Sequence, residues 1–125
     1  MEKRLLVPDR VRRPPASGWS WVDREFLREH AGELGRDAIL LYLFLAAVSD
    51  RNGLSFYRDV SIAIRLRLSE QAVVAARQEL IAHDLVAHHA PLTQVLSLPK
   101  RKLPCGGRDA EVIGDLLRQF AARQP

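Results

Sequence analysis

The chain has 125 residues, nearly half of them apolar, and a formal net charge of +4, which is room for one domain with a real core and not for two comfortable ones. No apolar run reaches the roughly 18–20 residues that span a bilayer; the richest, Ala38 to Val48, is too short. One cysteine, Cys105, excludes an internal disulfide framework and a zinc ribbon, so no membrane and a reducing, bacterial-type cytoplasm are expected.

The charge is unevenly placed. Residues 1–18 hold five basic and two acidic side chains, residues 100–125 six and three, and residues 19–99 eight and ten. The centre is therefore slightly acidic and both flanks are basic. Lysine and arginine at the flanks suit the phosphates of a nucleic acid; the plainer reading is that charged ends aid solubility.

Residues 1–18 read as a basic flexible arm. Pro8, Pro14 and Pro15 alternate with Arg10, Arg12 and Arg13, and no helical or strand period is present. Leu5-Leu6-Val7 is stopped at once by Pro8 and is no signal-peptide core. Order is expected from Trp19-Ser20-Trp21-Val22, with the two rings as core plugs, and a helix over 23–34 follows. Stacked aromatics beside arginines bind single strands only if the rings are exposed. The central helix runs from Gly35 to Ser49, with Asp37 in its first turn. Its apolar residues Ile39, Leu40, Leu41, Leu43, Phe44, Leu45 and Val48 cover nearly all faces, so burial all round is expected. Asp50-Arg51-Asn52-Gly53 stops it, Gly53 suiting a left-handed cap.

A short extended piece, Leu54-Ser55-Phe56, precedes a helix over 58–67 whose apolar set is Val60, Ile62, Ala63 and Leu66. The turn Arg67-Leu68-Ser69 leads into a helix from Glu70 to about His83, Ser69 being a good N-cap. Strands over 85–89 and 94–98 form a hairpin with Ala90-Pro91-Leu92-Thr93 at its tip. Residues 100–125 read as a basic linker and a helix from Arg108 to Arg123, with Val112, Ile113, Leu116, Leu117 and Phe120 in one stripe. The fold class is thus mainly α with a small β-hairpin wing: a winged helix-turn-helix over 19–99 plus an extra C-terminal helix.

In such units the second helix enters the DNA major groove. With Val73, Ala76 and Leu80 inward, the outward set is Glu70, Gln71, Val74, Ala75, Arg77 and Gln78. Glutamine can pair with adenine and arginine with guanine, so Gln71, Arg77 and Gln78 are the expected base contacts. Arg58, Arg65, Arg67 and Ser69 are expected on phosphates, joined by Arg10, Arg12 and Arg13 of the arm and Lys100, Arg101 and Lys102 of the linker. Arg36 and Arg51 are lesser candidates. Against this, Glu70 repels phosphate, solvated glutamines are common on helices, and Arg77 could pair with Glu70 or Asp84.

The pattern Leu54-Ser55-Phe56-Tyr57, Ile62-Ala63-x-x-Leu66, Val73-x-x-Ala76 and Leu80-Ile81-x-x-Asp84-Leu85-Val86 resembles the winged-helix domains of bacterial and phage replication initiators and small regulators. There a glycine usually stands where this chain has Asp84. The wider set Trp19-x-Trp21-Val22-Asp23-x-x-Phe26-Leu27, Leu41-Tyr42-x-Phe44-Leu45 and Val95-Leu96-Ser97-Leu98-Pro99 resembles small helix-turn-helix proteins encoded among transposon and plasmid genes. The resemblance covers residues 19–99 and implies double-stranded DNA as partner, in transcription control or as a replication or transposition accessory factor. A homodimer through the C-terminal helix is expected. The alternative is an adaptor that binds a replication or transposition protein without reading DNA sequence.

No cofactor, metal or catalytic residue is expected. His88 and His89 point to opposite faces of a strand, so with His83 and Asp84 they make a poor zinc site. Cys105 has no histidine in motif relation to it, and Gly106-Gly107 lacks the lysine of a phosphate loop.

Overall fold

The computed structural model describes residues 2–100. Helix α1 (Arg36–Val48) is followed by strand β1 (Leu54–Ser55), helices α2 (Asp59–Leu66) and α3 (Glu70–Ala82), and strands β2 (Val86–His89) and β3 (Leu92–Val95). The sheet order is β1-β3-β2, antiparallel throughout, with Leu54 opposite Gln94 and Val86 opposite Val95. Three helices closed on one side by a hairpin, whose inner strand also pairs with the strand after the first helix, make the winged helix-turn-helix arrangement.

Local chemistry sets most boundaries. Gly35 enters α1 in an extended conformation, and its N–H donates to Glu79 of α3 at 2.7 Å, tying the start of one helix to the side of another. After α1 the Asp50 carboxylate accepts from the N–H groups of Asn52 (2.8 Å) and Leu54 (3.0 Å), closing a turn in which Gly53 takes φ +84°. These two bonds hold the Asp50 carboxyl below the usual carboxylate range. Ser69 caps α3 by accepting from Ala72 at 3.0 Å, as its position predicts.

Helices α2 and α3 end alike. Leu68 N–H bonds Ala63 O across a left-handed Arg67, and Leu85 N–H bonds Leu80 O across a left-handed Asp84, at 3.0 Å each. This six-to-one closure satisfies carbonyls that a helix end leaves open. It usually uses glycine at the left-handed position, and here an arginine and an aspartate take it.

The core is Phe26, Leu41, Ile62, Val73, Leu80 and Leu85, all fully buried, with Tyr42, Leu45, Ala76 and Val86 around them. Phe26 stacks flat on Tyr42, ring centres 3.9 Å apart. The core departs from expectation in four places. Helix α1 is not buried all round: Ala38, Leu41, Tyr42 and Leu45 form the buried stripe, while Leu40 and Leu43 are each 38% exposed. The segment before it is a π-type turn (Phe26–His30) and a 3₁₀ turn (Ala31–Glu33) rather than a regular helix; it buries Phe26 and His30. Trp19 and Trp21 are not core plugs, being 64% and 71% exposed; Phe26 fills that role. Strand β3 begins at Leu92, because Ala90-Pro91 alone turns the hairpin and Leu92 already pairs with His89.

Residues 2–18 are exposed throughout and contain one short 3₁₀ turn, Pro8–Arg10. The expected C-terminal helix, with its apolar stripe, and Cys105 lie outside the described residues.

Candidate nucleic-acid interface

Helix α3 buries Val73, Ala76 and Leu80, which leaves Gln71, Val74, Ala75 and Gln78 on its open side with Glu70 at its start. Arg77 does not join them. It is 5% exposed, and its guanidinium pairs with the Asp59 carboxylate at the start of α2. The expected base contact Arg77 is therefore corrected to a structural strut between the two helices. A helix surface turns 100° per residue, so position 77, one step past the buried Ala76, falls on the boundary of the core; the carboxylate on the neighbouring helix draws it inward.

The sheet continues this polar seam. Register places Ser55 opposite Thr93 and Thr93 opposite His88, all on the inner face. The His88 Nδ1 lies 2.9 Å from the Thr93 hydroxyl, and the Ser55 hydroxyl is buried with no hydrogen-bond partner among the described residues. Burial lowers the His88 pKa below the usual histidine value, and the nearby Arg77 charge pushes it the same way. The Arg77 and Asp59 charges thus act on His88 of the wing.

The remaining expected contacts among the described residues are accessible. Arg58, Arg65 and Arg67 are exposed along α2 and its terminal turn, and the Arg65 guanidinium sits 5.6 Å from the centre of the Tyr57 ring. That ring packs edge-on against Phe44, centres 5.2 Å apart. Ser69 is exposed and its oxygen is engaged by the cap, which leaves the hydroxyl proton as the group able to reach a phosphate. Arg10, Arg12, Arg13 and Lys100 are exposed, as are Arg36 and Arg51. Arg101 and Lys102 lie outside the described residues. On the sheet His88 is half-buried and His89 exposed, and no group of three metal-ligating side chains gathers among the described residues. No helix among them is long and apolar enough to cross a membrane.

The chain matches no family model, no curated protein and no solved structure.

Two surface features were not foreseen. Val60 and Ile64 share the outer face of α2 and are exposed, Ile64 at 73%, with Phe56 exposed just before the helix. The sequence signal for this was the excess of apolar residues over one stripe: 60 and 64 repeat at helical spacing but lie off the Ile62-Ala63-Leu66 face. The second feature is the exposed tryptophan pair. Its signal was the absence of any helical period between Gly18 and Val22.

Proposed function

We propose that this chain binds double-stranded DNA as a winged helix-turn-helix protein with no catalytic activity, in the cytoplasm. Helix α3 lies in the major groove, with Gln71 and Gln78 toward base edges. Arg58, Arg65 and Arg67, the Ser69 end of α3, the arm arginines and Lys100-Arg101-Lys102 contact phosphates. The observation that carries this reading is the open face of α3, almost free of charge, together with exposed arginines at the N-cap (Arg58), in the last turn (Arg65) and at the C-cap (Arg67) of the preceding helix α2. Such a face reads bases weakly and leaves affinity to the phosphates. The role is transcription control or accessory work in replication or transposition, following the resemblance of residues 19–99. Two copies joined through the C-terminal stripe would pair half-sites; a monomer in light scattering at high micromolar concentration removes that part.

A duplex titration over a range of salt tests the reading. Replacing Arg58, Arg65 and Arg67 together by alanine should weaken binding on every sequence and reduce the log–log salt slope by about 2–3. Gln71→Ala with Gln78→Ala should erase sequence preference and keep that slope. No binding of mixed duplex at low salt sinks the proposal. The adaptor reading then stands in its place; the exposed Val60, Ile64 and Val74 favour it.

A further inference from the structure

Trp19 and Trp21 are the chain's only two tryptophans, and both present their rings to solvent. Trp21 stands at the edge of a groove of about 310 Å³ formed by the segment around Asp23, the end of α1, the turn after it and the residues that follow β3. Tyr42 lines this groove together with Asp50, Arg51 and Leu98. Upstream, the chain turns at Gly18, whose N–H bonds Pro15 O at 3.2 Å and whose φ of +119° suits glycine alone. That turn leads from the exposed Arg10, Arg12 and Arg13 into Trp19. Five residues lie between Arg13 and Trp19, so the two are at most about 20 Å of chain apart.

We propose that Trp19, Trp21 and the groove beside them are a stacking site for unpaired bases of a single-stranded nucleic acid, whose phosphates the arm arginines hold. Exposed flat rings next to cations are the two elements of sequence-tolerant single-strand binding. Bases inside a duplex have both faces covered by their neighbours and offer such rings nothing to stack on. Two carboxylates line the groove, Asp50 held by the N–H groups of its own turn and Asp23 accepting from Glu25 N–H at 2.8 Å; they repel phosphate, so the groove takes base faces and the phosphates fall to the arm arginines. Arg51 adds a cation at the rim.

This site stands apart from the α3 face and does not rest on the duplex reading. The groove lies by the C-terminal end of α1, and α3 is tied to its N-terminal end through Glu79 and Gly35. The 13 residues of α1 put about 20 Å between those ends. A chain with both sites would hold a duplex together with an adjoining unpaired strand.

The test uses the full chain, a labelled oligo(dT) 20-mer at low salt, and a mixed duplex in parallel. Oligo(dT) should quench the tryptophan emission to saturation. Trp21→Ala should raise the anisotropy-derived Kd by roughly 5- to 100-fold, and Trp21→Phe should restore most of it. Replacing Arg10, Arg12 and Arg13 by alanine should lower the salt slope by about 2. Gln71→Ala with Gln78→Ala should leave oligo(dT) binding unchanged whatever it does to duplex, so the two proposals fail separately. The inference is overturned by an absence of quenching, by unchanged affinity in Trp21→Ala, or by tryptophans that acrylamide cannot reach in the free protein. The last result would mean that another protein surface already covers the rings.

Discussion

Arg77 and Asp59 are 18 positions apart and meet between α3 and α2. Removing one partner of a buried pair leaves the other charge uncompensated, a loss of about 3–5 kcal/mol when both are fully buried. The Asp59 side chain is 34% exposed, which reduces this to about 2–3 kcal/mol. Arg77→Ala is therefore expected to lower stability by that amount in urea unfolding, and Asp59→Ala with Arg77→Ala to cost less than the two single changes added. Loss of DNA binding in Arg77→Ala would report a weakened fold rather than a lost base contact. Gly53 is the second residue on which the fold turns. A Cβ there would sit 2.5 Å from Val95 O, at a positive φ. Left-handed backbone costs an L residue about 1–2 kcal/mol before the clash is counted. Gly53→Ala should lower Tm by at least about 5 °C, since 1 kcal/mol shifts a domain of this size by about 4–8 °C. A turn signal at this position was legible in Asp50-Arg51-Asn52-Gly53; the pairing of Arg77 was not, because its partner is set by how two helices pack.

Helix α3 was the most readable element. Its N-cap, its apolar spacing and its stop are all encoded within a few residues, and the helix begins at Glu70 as those signals predict. The wing was less readable. Its second strand was expected over 94–98, but it starts at Leu92, which pairs with His89 of β2, and Thr93 then pairs with Ser55 of β1, so the two-residue turn at Ala90-Pro91 moved the boundary. The seam beneath the wing makes it sensitive to acid. His88 binds its proton less readily in the folded chain than in the unfolded one, whose ordinary value is 6.5. The stability this contributes is fully present above that value and is lost as pH falls through the lowered folded value. Asp59 opposes the shift while Arg77 and His89 reinforce it. Tm should fall between pH 7 and pH 5, and fall less in His88→Gln; equal slopes in the two proteins would show that His88 does not carry the effect.

Across the whole molecule, packing begins near Phe26, and the arm contributes nothing to the buried core. Deleting residues 1–18 should therefore leave Tm within about 2 °C, less than the shift that 1 kcal/mol produces. The same deletion should weaken nucleic-acid binding and flatten its salt dependence, as removal of phosphate contacts requires. A large fall in Tm would show that the arm is part of the folded body. The order of helices, the cap at Ser69 and the turn at Gly53 were determined by the sequence alone, since each depends on hydrogen bonds and apolar spacing within one or two turns of chain. Only the tertiary structure decided that Arg77 faces Asp59, that Ile64 and the two tryptophans face water, and that Phe26 fills the core. Those outcomes depend on which surfaces of distant segments meet, and periodicity along the chain carries no record of that.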